Sequence, residues 1–242
     1  MCRETWHFHQ RNGGPRRAYS CSTMSSLDLF DDLPPTEETG PSTLAPGAML
    51  LHAFGQTLDA QILQAIEAVL TQAPLRHLVT PGGHKMSVAM SNCGALGWVS
   101  DASGYRYSTH DPSSGQHWPA MPGCCLDLAQ RAAAQAGYPQ FQPNACLVNE
   151  YVPGAKLSLH QDKDELNFSA PIVSLSLGLA AVFLFGTQSR KDRPQRYRLA
   201  HGDVVVWGGP SRLAYHGVAP LADGSHALLG RRRLNLTFRC VG

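Results

Sequence analysis

Positions 145–160 read ACLVNEYVPGAKLSLH, two runs of strand-forming residues separated by the turn residues Pro153 and Gly154. Similar short runs, divided by turn residues, continue to the end of the chain. We predict eight strands here, at residues 145–151, 157–160, 171–177, 181–185, 196–200, 203–207, 213–218 and 232–239. So many short strands in about 95 residues indicate a closed or double-sheet architecture, and the predicted fold class is mostly β (α+β).

Two helices are predicted before these strands. Apolar residues recur at helical spacing from Leu58 to Leu70, with Thr57 as the expected N-cap and Pro74 beyond the end. A second helix is predicted over residues 125–136, followed by a glycine. We expect both helices to flank the sheets.

The composition is that of a globular protein. The chain has 242 residues, of which 43% are hydrophobic and 16% charged, with 23 glycines and 17 prolines. These values exclude a chain that is disordered throughout and argue against a helical bundle. The formal net charge is only +2, but residues 187–242 hold ten Lys or Arg against three Asp or Glu. The C-terminal part therefore permits an anionic partner.

Residues 1–46 are predicted to form a flexible tail, since positions 31–46 (DDLPPTEETGPSTLAP) are acidic and rich in proline. Met24 is an alternative start, in which case residues 1–23 do not belong to the native protein. Residues 47–242 are predicted to form one domain. The seven cysteines are scattered without a CxxC pair, and the longest apolar run, residues 175–185, is too short to span a bilayer. We therefore expect a cytoplasmic protein with reduced thiols and no membrane partner.

A candidate metal site lies in LSLHQDKDE at positions 157–165. His160 and Asp162 are two residues apart, so on a strand both side chains point to one face. His216, in the sequence Tyr-His-Gly near another strand, offers a third ligand. Two imidazoles and one carboxylate leave coordination positions open, as in Fe(II) oxygenases, whereas structural zinc is closed by four ligands. The alternative is a surface pair and an unrelated loop histidine.

The C-terminal strand RRRLNLTFR, at residues 231–239, has two different faces. Leu234, Leu236 and Phe238 share the face that would pack in the core. The other face carries Arg233, Asn235, Thr237 and Arg239, so its two guanidinium groups would bind both ends of a short dicarboxylate. The alternative is a basic edge strand that resists aggregation. For Arg231 and Arg232 we favour this alternative, or contact with nucleic-acid phosphates.

HxD, a distal histidine and the terminal pattern RxNxTxR together resemble the Fe(II)/2-oxoglutarate-dependent dioxygenases. The resemblance is closest to the AlkB family of alkylated-DNA repair dioxygenases and extends from Leu27 to Arg239. It rests on the segments VTPGGHKMSVAMSNCGALGW, WPAMP, AGYPQFQPNACLVNEY, PGAKLSLHQDKDE, PIVSLSLGL, HGDVVVWGG, SRLAYHG and NLTFR. The resemblance implies a double-stranded β-helix (jelly roll) with flanking helices, a core at about 145–240 and an N-terminal nucleotide-recognition lid at about 75–120.

The resemblance also implies the cofactor residues. His160, Asp162 and His216 would bind Fe(II) and form the catalytic centre. Arg233 would hold the distal carboxylate of 2-oxoglutarate, and Asn235 and Arg239 would lie near the carboxylate that chelates iron. The remaining candidates for 2-oxoglutarate belong to one strand segment: Asn149, Glu150 and Tyr151. Within it, Glu150 points to the opposite face and is expected to be structural.

The substrate residues implied by the resemblance lie mainly in the lid. Trp98 and His216 would stack on the two faces of an extruded base, and Asp164 would attract a cationic methylated base. The other implied contacts to substrate are Tyr105, Arg106, Tyr107 and Arg190. For Trp98, core packing is the alternative. His84 and Ala102 depart from the family pattern, which leaves the contacts of the lid with the nucleic-acid backbone less defined.

The implied function is DNA repair by oxidative demethylation of N-alkylated bases such as 1-methyladenine and 3-methylcytosine. The enzyme would use Fe(II), 2-oxoglutarate and O₂, and would release formaldehyde, succinate and CO₂. The expected partner is methylated single-stranded DNA, with RNA as a further candidate, and the expected state is a monomer. The alternatives are a 2-oxoglutarate oxygenase acting on RNA or protein, and a metal-free nucleic-acid-binding module.

Overall fold

A computed structural model of the protein describes residues 40–242. An antiparallel sheet of eight strands forms one wall of the fold. In spatial order its strands are β1 (Pro41–Ala45), β2 (Ala48–Leu51), β12 (Val204–Trp207), β9 (Ile172–Gly178), β14 (Arg233–Arg239), β7 (Ala145–Tyr151), β4 (Lys85–Gly94) and β3 (Arg76–Val79).

A second antiparallel sheet faces the first. Its strands, in spatial order, are β11 (Gln195–Leu199), β10 (Ala181–Phe185), β13 (His216–Val218) and β8 (Leu157–His160). A separate hairpin is formed by β5 (Gly97–Asp101) and β6 (Gly104–Ser108), which pair only with each other. The two helices are α1 (Asp59–Gln72) and α2 (Gly123–Gln135).

The large sheet separates two apolar cores. Alternate residues of β14, namely Leu234, Leu236 and Phe238, pack with the buried faces of both helices. The other core fills the space between the two sheets and includes Phe183 and Trp207. This alternation turns the polar face of β14 towards the interior between the sheets, which is where a ligand of a jelly roll is enclosed.

The structure confirms the mostly-β fold with flanking helices. The strands at 145–151, 157–160 and 181–185 match the prediction, two others differ by one residue at one end, and two are shifted by one residue at both ends. The strand predicted at 213–218 begins only at His216, because a 3-10 turn at Gly209–Ser211 leads into it. The predicted cap Thr57 is wrong: it lies inside a 3-10 turn, and the helix starts after Leu58 without a side-chain cap.

The part before residue 145 contains more sheet than the sequence predicts. The predicted tail included residues 41–45, but these form β1, which pairs with β2. The segment expected to be a lid is also divided: β3 and β4 belong to the large sheet, and only β5 and β6 stand apart from it. Residues 1–39, which include the alternative start Met24, lie outside the described residues. Neither described helix is long and apolar enough to cross a membrane.

Candidate active site

His160, Asp162 and His216 meet between the two sheets. His160 ends β8 and is paired in register with His216, the first residue of β13, while Asp162 follows two residues after His160. One potential ligand atom from each residue lies within 4.8 Å of the other two. Nε2 of His160 is 3.5 Å and Nε2 of His216 is 3.8 Å from a carboxylate oxygen of Asp162. This is the predicted face-sharing arrangement of two imidazoles and a carboxylate.

A glycine allows the two histidine-bearing strands to approach. A Cβ atom on Gly217 would lie 2.6 Å from the carbonyl oxygen of Leu157 on the neighbouring strand. Such a contact is far inside van der Waals range, so any larger residue would push β13 away from β8. The Tyr-His-Gly sequence therefore has a structural reason for its glycine.

The tautomers of both histidines are set by the backbone. Nδ1 of His160 donates to the carbonyl oxygen of Ser158 (2.9 Å), and Nδ1 of His216 donates to that of Ala214 (3.0 Å). A carbonyl oxygen only accepts, so the proton resides on Nδ1 and the lone pair of Nε2 is directed at the common centre. Backbone bonds of this kind orient histidine ligands in metal sites.

The charges of the cluster also suit a cation. Burial, together with the nearby His160, lowers the pKa of His216 to about 4, so its imidazole is neutral at pH 7. Burial alone would raise the pKa of Asp162, but the Arg239 guanidinium and the two histidines hold it well below its usual range. A neutral imidazole and an ionised carboxylate are the forms that bind metal.

Asp162 is held by a buried network of charges. Arg239 donates to Oδ2 of Asp162 through Nη2 (2.6 Å) and Nε (2.9 Å), and its Nε lies 3.2 Å from Glu165. Glu165 also accepts from Arg212 (3.1 Å) and from the hydroxyl of Tyr107 on β6 (2.6 Å). The side chains of Arg212 and Glu165 are only 3% and 2% exposed, so removing either would leave a buried charge unpaired. The network therefore connects the hairpin to a candidate metal ligand.

A second polar cluster on the same face of the large sheet has unused hydrogen-bonding atoms. Arg233 is buried, donates from Nη2 to Ser176 (2.8 Å) and lies over the ring of Tyr151, with 4.9 Å between Cζ and the ring centre. Nε and Nη1 of Arg233, the hydroxyl of Tyr151 and Oδ1 of Asn149 have no hydrogen-bond partner among the described residues. Unpaired buried polar atoms are rare and costly, so their convergence points to a polar ligand.

The metal cluster and the arginine cluster line one cavity of about 660 Å³. At its mouth, Trp98 and Tyr105 of the hairpin stack with 5.5 Å between ring centres, and Nε1 of Trp98 donates to Oδ2 of Asp164 (2.9 Å). Arg190 lines the cavity as well, with its guanidinium 6.0 Å from the ring centre of Tyr215. Aromatic rings and a carboxylate therefore surround the entrance to the candidate metal site.

Comparison with known proteins identifies the family. The family model described as "2OG-Fe(II) oxygenase superfamily" matches residues 47–239, most of the chain. The chain belongs to this superfamily. "Alpha-ketoglutarate-dependent dioxygenase AlkB" of Escherichia coli K12 is 56% identical over 216 residues, which cover 89% of this chain and 98% of the relative. The AlkB homolog of Caulobacter vibrioides is 45% identical over 204 residues, covering 82% of this chain and 90% of the relative.

More distant relatives agree on the fold. The solved structure described as "The structure of OsALKBH1" has a TM-score of 0.72 and 30% sequence identity, and covers 82% of this chain and 99% of that one. The "tRNA demethylase abh1" of Schizosaccharomyces pombe is 34% identical over 159 residues, or 60% of this chain and 53% of that protein. The jelly roll predicted from the sequence resemblance is thereby confirmed.

The enzymes of the 2OG-Fe(II) oxygenase superfamily use Fe(II) and 2-oxoglutarate, and the residues of this cavity fit both. Two imidazoles and one carboxylate provide three ligands and leave further positions of an iron ion open. The free donors of Arg233 and the Tyr151 hydroxyl suit a carboxylate, and arginine binds carboxylates through two parallel hydrogen bonds. The chain is therefore an Fe(II)/2-oxoglutarate-dependent dioxygenase whose own residues are compatible with its cofactors.

The structure brings most of the predicted site residues to the cavity. Those that line it are His160, Asp162, His216, Asn149, Tyr151, Arg233, Asn235, Arg239, Trp98, Tyr105, Tyr107, Asp164 and Arg190. Arg239 is bonded to Asp162 and Glu165, whereas Nε and Nη1 of Arg233 have no partner among the described residues, which suits Arg233 to the far end of a dicarboxylate. Direct contact of Arg239 with the other end stays a prediction.

Two candidate residues lie outside the cavity. Glu150 faces the other side of the sheet, as strand alternation predicts, and its carboxylate accepts from Arg232 (3.0 Å). Arg106, expected at the substrate, alternates with Tyr105 and Tyr107 along β6 and pairs with Asp101 on the opposite face of the hairpin (2.7 Å). The expectation for Arg106 is corrected, and the two-residue period of a strand is the reason.

Some residues of the site were missed from the sequence. Asn92 fixes Trp98 by accepting from its backbone N–H (2.9 Å) and donating to its carbonyl (3.0 Å). Arg212 and Glu165 form the buried part of the charge network. Trp207 packs against His216, with 4.9 Å between ring centres. Glu165 directly follows Asp164 and stands three residues from Asp162, and this acidic run is the signal that the sequence offers for it.

Proposed function

We propose that this enzyme repairs DNA by oxidative demethylation of N-alkylated bases, with 1-methyladenine and 3-methylcytosine as substrates. It uses Fe(II), 2-oxoglutarate and O₂, and it releases formaldehyde, succinate and CO₂. The high identity to the AlkB dioxygenases supports this proposal. The observation in the chain itself that carries it is the mouth of the cavity, where Trp98, Tyr105 and the carboxylate of Asp164 lie together above the metal cluster.

The mouth suits a flat cationic ligand. Aromatic side chains that stack on a base contribute about 1–3 kcal/mol per base in single-strand binders. The carboxylate of Asp164 adds negative charge beside Trp98, which favours bases that carry a positive charge after methylation. A base must leave its stack to enter, and this costs least in single strands or at damaged pairs. We therefore propose single-stranded DNA as the preferred form.

The protein's own residues then have distinct tasks. His160, Asp162 and His216 hold the iron, and Arg233 with Tyr151 binds the far carboxylate of 2-oxoglutarate. When bound, Fe(II) and 2-oxoglutarate activate O₂ to oxidise the N-methyl group, after which the hydroxymethyl product releases formaldehyde and the repaired base. Arg239 keeps Asp162 ionised and correctly placed, and the hairpin orients the base and excludes water from the cavity.

One relative is named a tRNA demethylase, so the nucleic acid itself needs a test. The full chain, loaded with Fe(II) without oxygen, is given 2-oxoglutarate, O₂ and an oligonucleotide with one 3-methylcytosine. Mass spectrometry is expected to show loss of the methyl group from DNA and one formaldehyde for each repaired base. The same sequence as RNA, and as a DNA duplex, completes the comparison.

Retention of the methyl group in DNA alongside efficient turnover of the RNA would contradict the proposal. We further propose that the enzyme acts as a monomer in the cytoplasm. Sedimentation of the full chain at working concentration tests the first point, and cell fractionation tests the second.

A further inference from the structure

The surface arginines of this protein differ in their pairing. Most described arginines donate to a carboxylate of the protein: Arg76 to Asp111, Arg106 to Asp101, Arg131 to Asp127, Arg212 to Glu165, Arg231 to Asp223, Arg232 to Glu150 and Arg239 to Asp162. Arg233 donates to Ser176 and faces the 2-oxoglutarate cluster. The remaining arginines are exposed and have no acidic partner among residues 40–242; they are Arg190, Arg193, Arg196 and Arg198.

These unpaired arginines occupy one short segment. Lys191 lies among them and is also exposed. Asp192 is the only acid of the segment, and its carboxylate accepts from the hydroxyl of Thr187 (2.6 Å) instead of pairing with a cation. We call Arg190, Lys191, Arg193, Arg196 and Arg198 the basic strip. Five positive charges are thus concentrated on a surface that the described protein does not neutralise.

The strip begins at the mouth of the active-site cavity. Arg190 lines the cavity. Gln195, at the start of β11, is in register with Phe185, which is in register with His216. Neighbouring strands lie about 4.8 Å apart, so β11 begins about 10 Å from the metal ligand His216.

The strand then carries positive charge away from the mouth. Tyr197 and Leu199 turn inwards, as the hydroxyl of Tyr197 donates to the carbonyl of Leu44 and Leu199 is buried. Arg196 and Arg198 therefore project to solvent from the opposite face. Their separation along the strand is about 7 Å.

We propose that the basic strip binds the phosphates of the single-stranded nucleic acid that flanks the base held in the cavity. Phosphate contacts position a nucleic acid without reading its sequence, which suits an enzyme that must accept a lesion in any context. Arginine is well suited to this role because its planar group donates two parallel hydrogen bonds to a phosphate. The proposal rests on the proposed function for the identity of the strand.

Binding in salt tests the strip. The full chain, with Fe(II) and without oxygen, is titrated into a fluorescent single-stranded oligonucleotide of about 20 nucleotides with one 3-methylcytosine. The variant R196Q/R198Q removes two strip charges. The matched control R131Q/R231Q removes two exposed arginines outside the cavity that are paired with Asp127 and Asp223, so Arg231, for which the sequence also suggests a phosphate contact, already has an acidic partner.

Each lost phosphate contact lowers the slope of log affinity against log salt by about 0.7 on a single strand. For R196Q/R198Q we expect the slope to be smaller in magnitude by about 1.4. When salt is lowered from about 200 to about 50 mM, the gain in affinity of the variant should therefore be about sevenfold smaller than the gain of the wild type. The control is expected to keep the wild-type slope. Turnover of a 3-methylcytosine trinucleotide, which has one phosphate on each side of the modified nucleoside, is expected to fall less in R196Q/R198Q than turnover of the long strand and to stay unchanged in the control.

Equal slopes in R196Q/R198Q and the wild type would overturn the proposal, as would an equal decrease in the control. A loss of trinucleotide turnover equal to the loss on the long strand would place the effect inside the cavity and also overturn it. Loss of binding to phosphatidylserine vesicles, with oligonucleotide binding intact, would assign the strip to a membrane surface instead. If the slope falls as expected but no methyl group is removed, the strip stands and the proposed demethylation fails.

Discussion

The floor of the cavity and the hairpin at its mouth are held in place in different ways. On the floor, β14 is hydrogen-bonded to β7 on one side and β9 on the other, and all seven of its residues are buried. The hairpin of β5 and β6 pairs only with itself, and its exposed residues include Tyr105, which is 48% exposed. Side-chain bonds connect it to the cavity, from Trp98 to Asp164 and from Tyr107 to Glu165. Further bonds connect it to the large sheet, between Asn92 and Trp98 and from Ser100 to the carbonyl of Val79.

This difference separates two tasks. The floor residues that face the cofactors are fixed by the sheet itself, so their geometry does not depend on whether a substrate is present. The hairpin has fewer backbone hydrogen bonds to neighbouring strands, and local stability is lower where fewer contacts are buried. Changes in the hairpin should therefore alter substrate binding while the cofactor sites stay intact, and changes in the floor should affect every substrate alike.

The largest effect is expected for His216→Ala, because His216 is a candidate metal ligand in the same cavity as the floor residues. Removing even a residue that only orients a metal ligand costs about 10- to 100-fold, so losing a ligand should reduce turnover by more than about 100-fold on all substrates. Formaldehyde release and bound iron, both measured at saturating Fe(II), check this. The control is His226→Ala, a histidine outside the cavity. Near-normal release by His216→Ala would remove the metal assignment, and the same reasoning covers His160→Ala and Asp162→Ala.

A selective effect is expected at the mouth, for Asp164. Losing its charge contact in the cavity should cost about 1.5–3 kcal/mol, or roughly 10- to 100-fold in kcat/KM, on 3-methylcytosine. A neutral lesion such as 1-methylguanine should lose less, which narrows the ratio between the two. The structure adds a control: Asp164→Asn removes the charge but keeps an oxygen that accepts from Trp98, whereas Asp164→Ala removes both.

The kcat/KM values of both variants on both lesions decide the role of Asp164. If charge recognition is correct, Asp164→Asn lowers activity on 3-methylcytosine and leaves 1-methylguanine nearly unchanged. Equal proportional losses on the two lesions would mean that Asp164 only supports Trp98.

Two smaller effects of opposite sign are expected on the floor for Tyr151→Phe, one on thermal stability and one on the binding of 2-oxoglutarate. The buried hydroxyl of Tyr151 has no partner among the described residues, and an unsatisfied buried polar group costs about 1–3 kcal/mol. Its removal should raise the Tm in the absence of 2-oxoglutarate and weaken binding of 2-oxoglutarate by roughly tenfold or less. Thermal unfolding with and without 2-oxoglutarate measures both. A lower Tm together with unchanged binding would show that this hydroxyl does not serve the cofactor.

The same division between floor and mouth explains what the sequence could predict. His160 ends β8 and Asp162 follows two residues later, so the short spacing brings both side chains to one cluster, and the apolar residues of β14 fix which way Arg233 points. Both are local patterns. The pairing of Arg212 with Glu165 joins positions 47 residues apart, and no local pattern indicates it.

The errors have the same origin. The sequence predicts a tail over Pro41–Ala45 because the acidic, proline-rich segment around it hides a pairing with β2 that only the sheet reveals. Arg106 is expected at the substrate along with its neighbours, although strand alternation turns it away from the cavity. For residues in the hairpin and the outer strands, long-range pairing and not local propensity decides the structure.

The most direct test of the division is equilibrium binding of 2-oxoglutarate to the Fe(II)-loaded protein without oxygen, for the wild type, Arg233→Ala and Trp98→Ala. Losing the partner of a buried carboxylate costs about 2–5 kcal/mol, so Arg233→Ala should bind 2-oxoglutarate at least about thirtyfold more weakly. Trp98→Ala should bind it like the wild type while losing affinity for a 3-methylcytosine oligonucleotide. Unchanged 2-oxoglutarate binding in Arg233→Ala, or an equal loss in Trp98→Ala, would contradict the separation of a cofactor floor from a substrate-binding hairpin.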